Sequence, residues 1–187
     1  MNLKIQGGAV LEQQTLRTFL HGETFPVADP SALAGLLLRG AGVPPRSGAR
    51  SVQAILLFAG AFHDAGGACA DPEGTAVLSW GRTGSHPENL RYWHDYLAAG
   101  RTDGRGRFFV GTLATTPVCD AAIVCGLRGG ILYLDTFGAQ APLREEIGDL
   151  FDAGARAVLL TLLDPPVMRA FLLERTQEAD EWSALPL

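Results

Sequence analysis

Apolar residues recur along the chain in two rhythms: short runs flanked by glycine or proline, and spacings of three and four. Residues 3–11 alternate loosely around Gly7 and Gly8 and predict an opening strand, with the glycines marking a close backbone approach. Residues 12–28 carry no clear period. Asp29-Pro30 starts a helix, with Asp as N-cap and Pro at the first helical position. Leu33, Leu36 and Leu37 would face inward and Gly40 would end it. Residues 42–48 read as a loop. The strongest helical period covers 49–65, where Val52, Ile55, Leu56, Ala59 and Phe62 fall at i, i+3, i+4, i+7 and i+10 before Gly66-Gly67 stops it. Thr75–Trp80 predicts a short apolar strand. Ser85-His-Pro-Glu88 has the form of a capping box; Leu90, Trp93 and Leu97 form one face behind it, and Gly100 ends that helix.

Residues 101–107 form a polar glycine loop and 108–113 are expected to be extended. Thr116-Pro117 opens a helix with Val118, Ala121, Ala122 and Cys125 on one face. Ile131–Leu134 predicts a short buried strand, followed by a tight corner and a helix over 142–153 that points Leu143, Ile147, Leu150 and Phe151 inward, capped by Gly154. The continuous apolar run 157–163 predicts a fully buried strand, ended by Asp164-Pro-Pro166. Residues 167–177 read as a last helix or arm, and 178–187 as a C-terminal tail. Strands alternating with helices indicate an α/β protein, one domain over 1–177, with a mixed, mostly parallel sheet layered by helices.

A chain of 187 residues, 47% apolar, can bury one substantial core and is not of disordered composition. Net charge is −5 and the arginines are sparse, which argues against nucleic acid as the main partner. Cys69, Cys119 and Cys125 lack framework spacing, as expected in a reducing compartment. No charged segment followed by an apolar one opens the sequence, and the longest apolar run is far short of the ~20 residues of a membrane span. A cytoplasmic protein is expected.

Candidate chemistry is thin. Cys125 reads as a small buried hydrophobe, and Cys119, six residues before it, does not make a zinc pair. His63 and Asp64 are adjacent on a helix, so their side chains diverge by about 100° and pair poorly with each other. His86 and His94 are scattered, and neither a metal nor a cofactor is expected. Residues 104–107 lack the Lys-Ser/Thr of a phosphate loop, and Gly126 to Gly130 supply turns and close packing. Tyr92, Trp93 and Tyr96 read as a core stripe. Asp135 would bond the backbone of its own corner.

Five stretches in order resemble the N-terminal half of a β-ketoacyl synthase, a condensing enzyme of the thiolase fold. They are Ala59-Gly-Ala-Phe-His-Asp-Ala-Gly66, Thr75 to Gly81 with Tyr92-Trp93 in the helix after it, the run from Ala114 to Gly129 ending Gly-Leu-Arg-Gly, Leu132-Tyr-Leu-Asp-Thr-Phe-Gly-Ala139, and Gly154-Ala-Arg-Ala-Val-Leu159. The likeness spans roughly residues 1–165. In the family the catalytic cysteine sits at the corner, its thiolate favoured by a helix N-terminus. Carried over residue by residue, that position is Gly138; Phe137 stands where a small residue is usual and Gly130 where a proline is usual. Gln140 lies two positions late for the glutamine of chain-length-factor relatives. The family's two catalytic histidines belong to a C-terminal half beyond these residues.

The resemblance implies an inactive, chain-length-factor-like accessory domain of fatty-acid or polyketide/polyene biosynthesis. Its expected partners are a second copy or a full-length ketosynthase, with an acyl carrier protein as a further one. The strand that pairs across the dimer axis in the family corresponds to Ile131, Leu132, Tyr133 and Leu134, and Thr136, Phe137 and Gly138 complete the ligand or interface candidates. Two alternatives stand beside it: acyl transfer through Cys119 or Thr136, and an anion or acyl site at the helix N-terminus formed by Gly138 to Pro142.

Overall fold

The computed structural model describes residues 1–40, 42–45, 47–81, 84–100, 106–134 and 141–187. They form strands β1 (Asn2–Glu12), β2 (Thr15–Thr18) and β3 (Thr24–Pro26), helices α1 (Pro30–Leu37) and α2 (Ala49–Asp64), then β4 (Thr75–Trp80), α3 (His86–Ala98), α4 (Gly106–Gly111) and α5 (Thr116–Cys125). The chain goes on through β5 (Ile131–Leu134), α6 (Ala141–Asp152), β6 (Ala157–Leu162), β7 (Val167–Thr176) and a 3-10 turn, Trp182–Ala184. One seven-stranded sheet has the order β3-β2-β1-β7-β6-β4-β5.

Helices α1, α2 and α5 cover one face of this sheet, over Ala9, Leu11, Val77, Leu159, Ala170 and Leu172. Helix α6 and the C-terminal residues Trp182, Leu185 and Leu187 cover the other, over Leu3, Ile5, Leu78, Leu160, Phe171 and Leu173. Leu3 and Ile5 therefore face one layer while Ala9 and Leu11 face the opposite one. A register shift between Ile5 and Gly7 in the β1–β7 pairing makes the change, since one extra residue turns every later side chain to the other face. This is why the alternation of residues 3–11 is only loose in the sequence. A Cβ on Gly7 would collide with the Ala61 carbonyl, and one on Gly60 would lie 2.8 Å from Ala9 Cβ, so paired glycines let α2 ride directly on β1.

Several expectations are corrected. Residues 167–177 hold the ten-residue strand β7, not a helix; it lies between β1 and β6 and is buried on both faces over residues 170–173, which erases the alternation that would mark a strand. Residues 12–28 hold β2 and β3, too short to show a period. The sheet is mixed but not mostly parallel: only β4–β5 and β4–β6 are parallel, because β7 returns antiparallel beside β6 and β1–β3 form a meander. Residues 108–113 are not extended; α4 runs through Gly111. Leu36 points to solvent, while Leu33 and Leu37 are buried.

Helix α3 has no buried residue, so Leu90, Trp93 and Leu97 line an outer face, and the Tyr92, Trp93 and Tyr96 stripe is not core. The capping box does not form. Ser85 Oγ donates to the Thr112 carbonyl and accepts from Asn89 Nδ2 at 3.2 Å, while Glu88 lies 3.5 Å from Arg50. Tertiary partners have taken both side chains from the helix end.

The Asp29 cap, the bounds of β4 and β5, the full burial of β6 and the inward set Leu143, Ile147 and Phe151 on α6 stand as read. No described helix is long and apolar enough to cross a membrane.

Candidate functional site

In an α/β protein, sites gather at the C-terminal ends of parallel strands. Here those ends belong to β4, β5 and β6. The path into β5 is set by a helix stop and a near-contact. Gly126 adopts φ +71° and closes α5, with the Leu127 N–H bonded to the Ala122 carbonyl at 2.9 Å. Arg128 N–H then meets the Pro72 carbonyl at 2.8 Å. Gly129 passes so near the start of β4 that a Cβ there would strike the Thr75 carbonyl oxygen. The glycines from 126 to 130 thus supply a turn and close packing, as their spacing implied.

Beyond them β5 pairs in parallel with β4 from Val77↔Ile131 to Trp80↔Leu134, and it is the last strand of the sheet. The expected burial is corrected by this edge position: Ile131 is 37% exposed, and Leu132, Tyr133 and Leu134 are half-buried. Leu132 and Leu134 pack toward the α6 layer. Tyr133 points the other way, and its O–H donates to the Gly81 carbonyl at 3.1 Å. The edge strand is thereby tied to the segment that leads into α3. The corner beyond β5, including Asp135, Thr136, Phe137, Gly138 and Gln140, lies outside the described residues.

Arg50, in the first turn of α2, binds these strand ends together. Its guanidinium donates to the Gly84 carbonyl and, at 2.9 Å, to the Leu163 carbonyl, and Glu88 lies 3.5 Å away. Beside it Ser51 Oγ donates to Asp120 Oδ2 at 2.6 Å, linking α2 to α5. A cavity of about 450 Å³ opens there, lined by Arg50, Ser51, Glu88, Arg91, Leu113 and Asp120 among others. Arg50 was not among the residues legible in the sequence, because a lone arginine at a helix start carries no local signal of the two carbonyls it will meet.

Next to this cavity the surface is apolar. Leu90, Trp93 and Leu97 of α3 and Phe109, Val110 and Leu113 in and after α4 each expose between 38% and 54% of their area. Ring contacts make the patch continuous: Tyr92 lies 6.0 Å from Phe109 and 6.4 Å from Tyr96, and Trp93 lies 5.7 Å from Tyr96. Among the described residues these side chains form one apolar, aromatic surface.

The other candidates resolve into structural roles. Cys125 packs partly buried against the α2–α5 layer, and burial, together with the nearby Cys69, pushes its thiol up to about 12. Cys119 is partly buried on α5. His63 and Asp64 do not pair: His63 Nε2 meets Glu23 at 2.8 Å, and Asp64 meets the His21 ring at 2.8 Å. Burial alone would raise the Asp64 carboxyl, but hydrogen bonds from the Leu20 N–H, the His21 ring and the Gly8 and His21 N–H groups hold it below its usual value. Among the described residues no cluster of three His, Cys, Asp or Glu could hold a metal ion.

No protein-family model and no curated protein sequence matches the chain. Solved structures do. One is the "Ketosynthase (ApeO) in Complex with its Chain Length Factor (ApeC) from Xenorhabdus doucetiae", matched at 16% identity and a TM-score of 0.59 over 94% of this chain and 80% of that one. A second is "The ishigamide ketosynthase/chain length factor", at 16% identity and a TM-score of 0.58 over 96% of this chain; the chain spans 63% of that one, less than two thirds of its length. With the mixed sheet layered by helices on both faces, these likenesses show that the chain has the thiolase-like fold of ketosynthase and chain-length-factor proteins.

Proposed function

We propose that the chain is a catalytically silent, chain-length-factor-like partner of a ketosynthase in fatty-acid or polyketide/polyene biosynthesis, and that it associates through β5 and the α3–α4 surface. The observation that carries this reading is the open β5 edge. It is short and apolar, has no second strand paired to it among the described residues, and carries none of the lysines and prolines that natural edges use to refuse a partner strand. The aromatic patch of α3 and α4 offers further apolar surface, and aromatic side chains are what interface centres are enriched in. The fold supports the reading from outside the site, since the two solved structures described above are ketosynthases with chain length factors. Silence rests on Gly138 standing at the family's nucleophile position in the sequence: a glycine has no side chain to form a thioester. An acyl carrier protein would act as a further partner through the pair.

The test is association. Light scattering at micromolar concentration and co-purification with a full-length ketosynthase should give a defined complex. Ile131→Lys should abolish it while leaving the fold intact by circular dichroism. A monodisperse monomer that captures no ketosynthase would overturn the proposal. Silence is tested separately, by incubation with acyl-carrier thioesters and intact mass: no covalent adduct is expected on Cys119 or elsewhere.

A further inference from the structure

Strand β1 is paired with β7 along its whole length, but β2 covers its other side only from Ala9 onward. Between Asn2 and Gly8 the outward N–H groups need other acceptors. They find carboxylates. Leu3 N–H donates to Asp180 Oδ1 at 3.1 Å, Ile5 N–H to Glu181 Oε2 at 2.7 Å, and, past the bulge, Gly8 N–H to Asp64 Oδ2 at 2.8 Å. The Glu181 N–H returns the bond to the Leu3 carbonyl at 2.9 Å. Two of the three acceptors come from one segment, 178–187, which lies along β1 without being a strand.

The fastening of that segment is uneven. Near β1 it is polar: Lys4–Glu178 at 3.3 Å and Asn2 to the Glu178 carbonyl at 2.7 Å are exposed, and Arg144–Asp180 at 2.5 Å, with the guanidinium over the Trp182 ring, is partly buried. Only Leu185 is buried, with Trp182 and Leu187 partly so against the α6 layer. Side-chain carboxylates replace most of the main-chain ladder, and Leu185, with Trp182 and Leu187 partly buried beside it, anchors the segment. The geometry points to a releasable strap: seated, residues 178–187 close the edge of β1; released, they leave Leu3 and Ile5 free to pair antiparallel with the same edge of a second copy. This edge lies across the sheet from β5 and is independent of the association proposed above.

Hydrogen exchange on the full chain tests it. The amides of Leu3 and Ile5 are expected to exchange together with those of residues 181–187, and at least tenfold faster than Leu159 and Leu160 of β6. Leu185→Ala should speed the first group by a further tenfold or more, leave β6 unchanged, and produce a dimer in which Leu3 and Ile5 regain protection. That dimer should persist in an Ile131→Lys background, which removes any association through β5. If Leu3 and Ile5 in the unmodified chain exchange only at the β6 rate, the segment does not open separately and the inference fails, whatever the variant does. If they open first but the variant stays monomeric, strand exchange between copies is excluded and the inference also fails.

Discussion

Gly129 and Asp64 show how single residues hold this fold, one by having no side chain and one by spending all of it. The Cβ of Gly129→Ala would meet the Thr75 carbonyl, a backbone atom that cannot step aside. The substitution should cost roughly 2 kcal/mol or more in urea denaturation and loosen β5 first, since Val77 N–H bonds the neighbouring Gly130 carbonyl. Asp64 gathers three backbone N–H groups and the His21 ring. Asp64→Ala would leave buried donors unpartnered, at a cost of about 3 kcal/mol or more. The same carboxyl sets a pH dependence. Its folded value lies below the unfolded one, so its stabilisation is fully present above about pH 4 and is lost as pH falls through the folded value. Denaturation midpoints measured from pH 7 down to pH 3 should fall steeply in the natural chain and less steeply in the variant. Asp180, lowered by the Leu3 N–H and Arg144 against the raising effect of burial, contributes with the same sign. Alkylation with iodoacetamide at pH 8 should modify Cys119 and Cys69 well before Cys125, whose thiol stays protonated.

Among the elements, α2 and α3 make an instructive contrast. Both have a clear apolar stripe. That of α2 is buried almost all round, against β1, β2, β7 and α5. That of α3 faces outward, over a patch shared with α4. Periodicity reports that a helix has a face to cover, not whether this chain or another covers it. Trp93→Ala should therefore leave the urea midpoint nearly unchanged while weakening association severalfold or more, because the ring is half-exposed in the single chain and would be covered only in a complex. Equal losses of stability and association would place Trp93 in the fold rather than in the interface. Strand β5 follows the same logic. Its four residues were legible as a strand, but its edge position depends on β4 lying beside β6, which no local pattern encodes.

For the whole molecule, protection from exchange should follow sheet order. β7 and β6, each with strands on both sides, should be slowest, and the edges β3 and β5 fastest; uniform protection across the sheet would contradict the topology. The alternation of strands with helices, the central helix α2, the Asp29 cap, the buried run of β6 and the likeness to condensing enzymes were all legible in the residues, because local periods, caps and motifs are short-range properties. The exchange of faces at the Ile5–Gly7 bulge, the strand character of β7, the grip of Arg50 on two strand ends and the outward face of α3 were decided by tertiary structure alone. Each depends on a neighbour distant in sequence: a strand buried on both sides loses its alternation, a lone arginine gains its role from two remote carbonyls, and an apolar stripe becomes core or contact surface according to what packs against it.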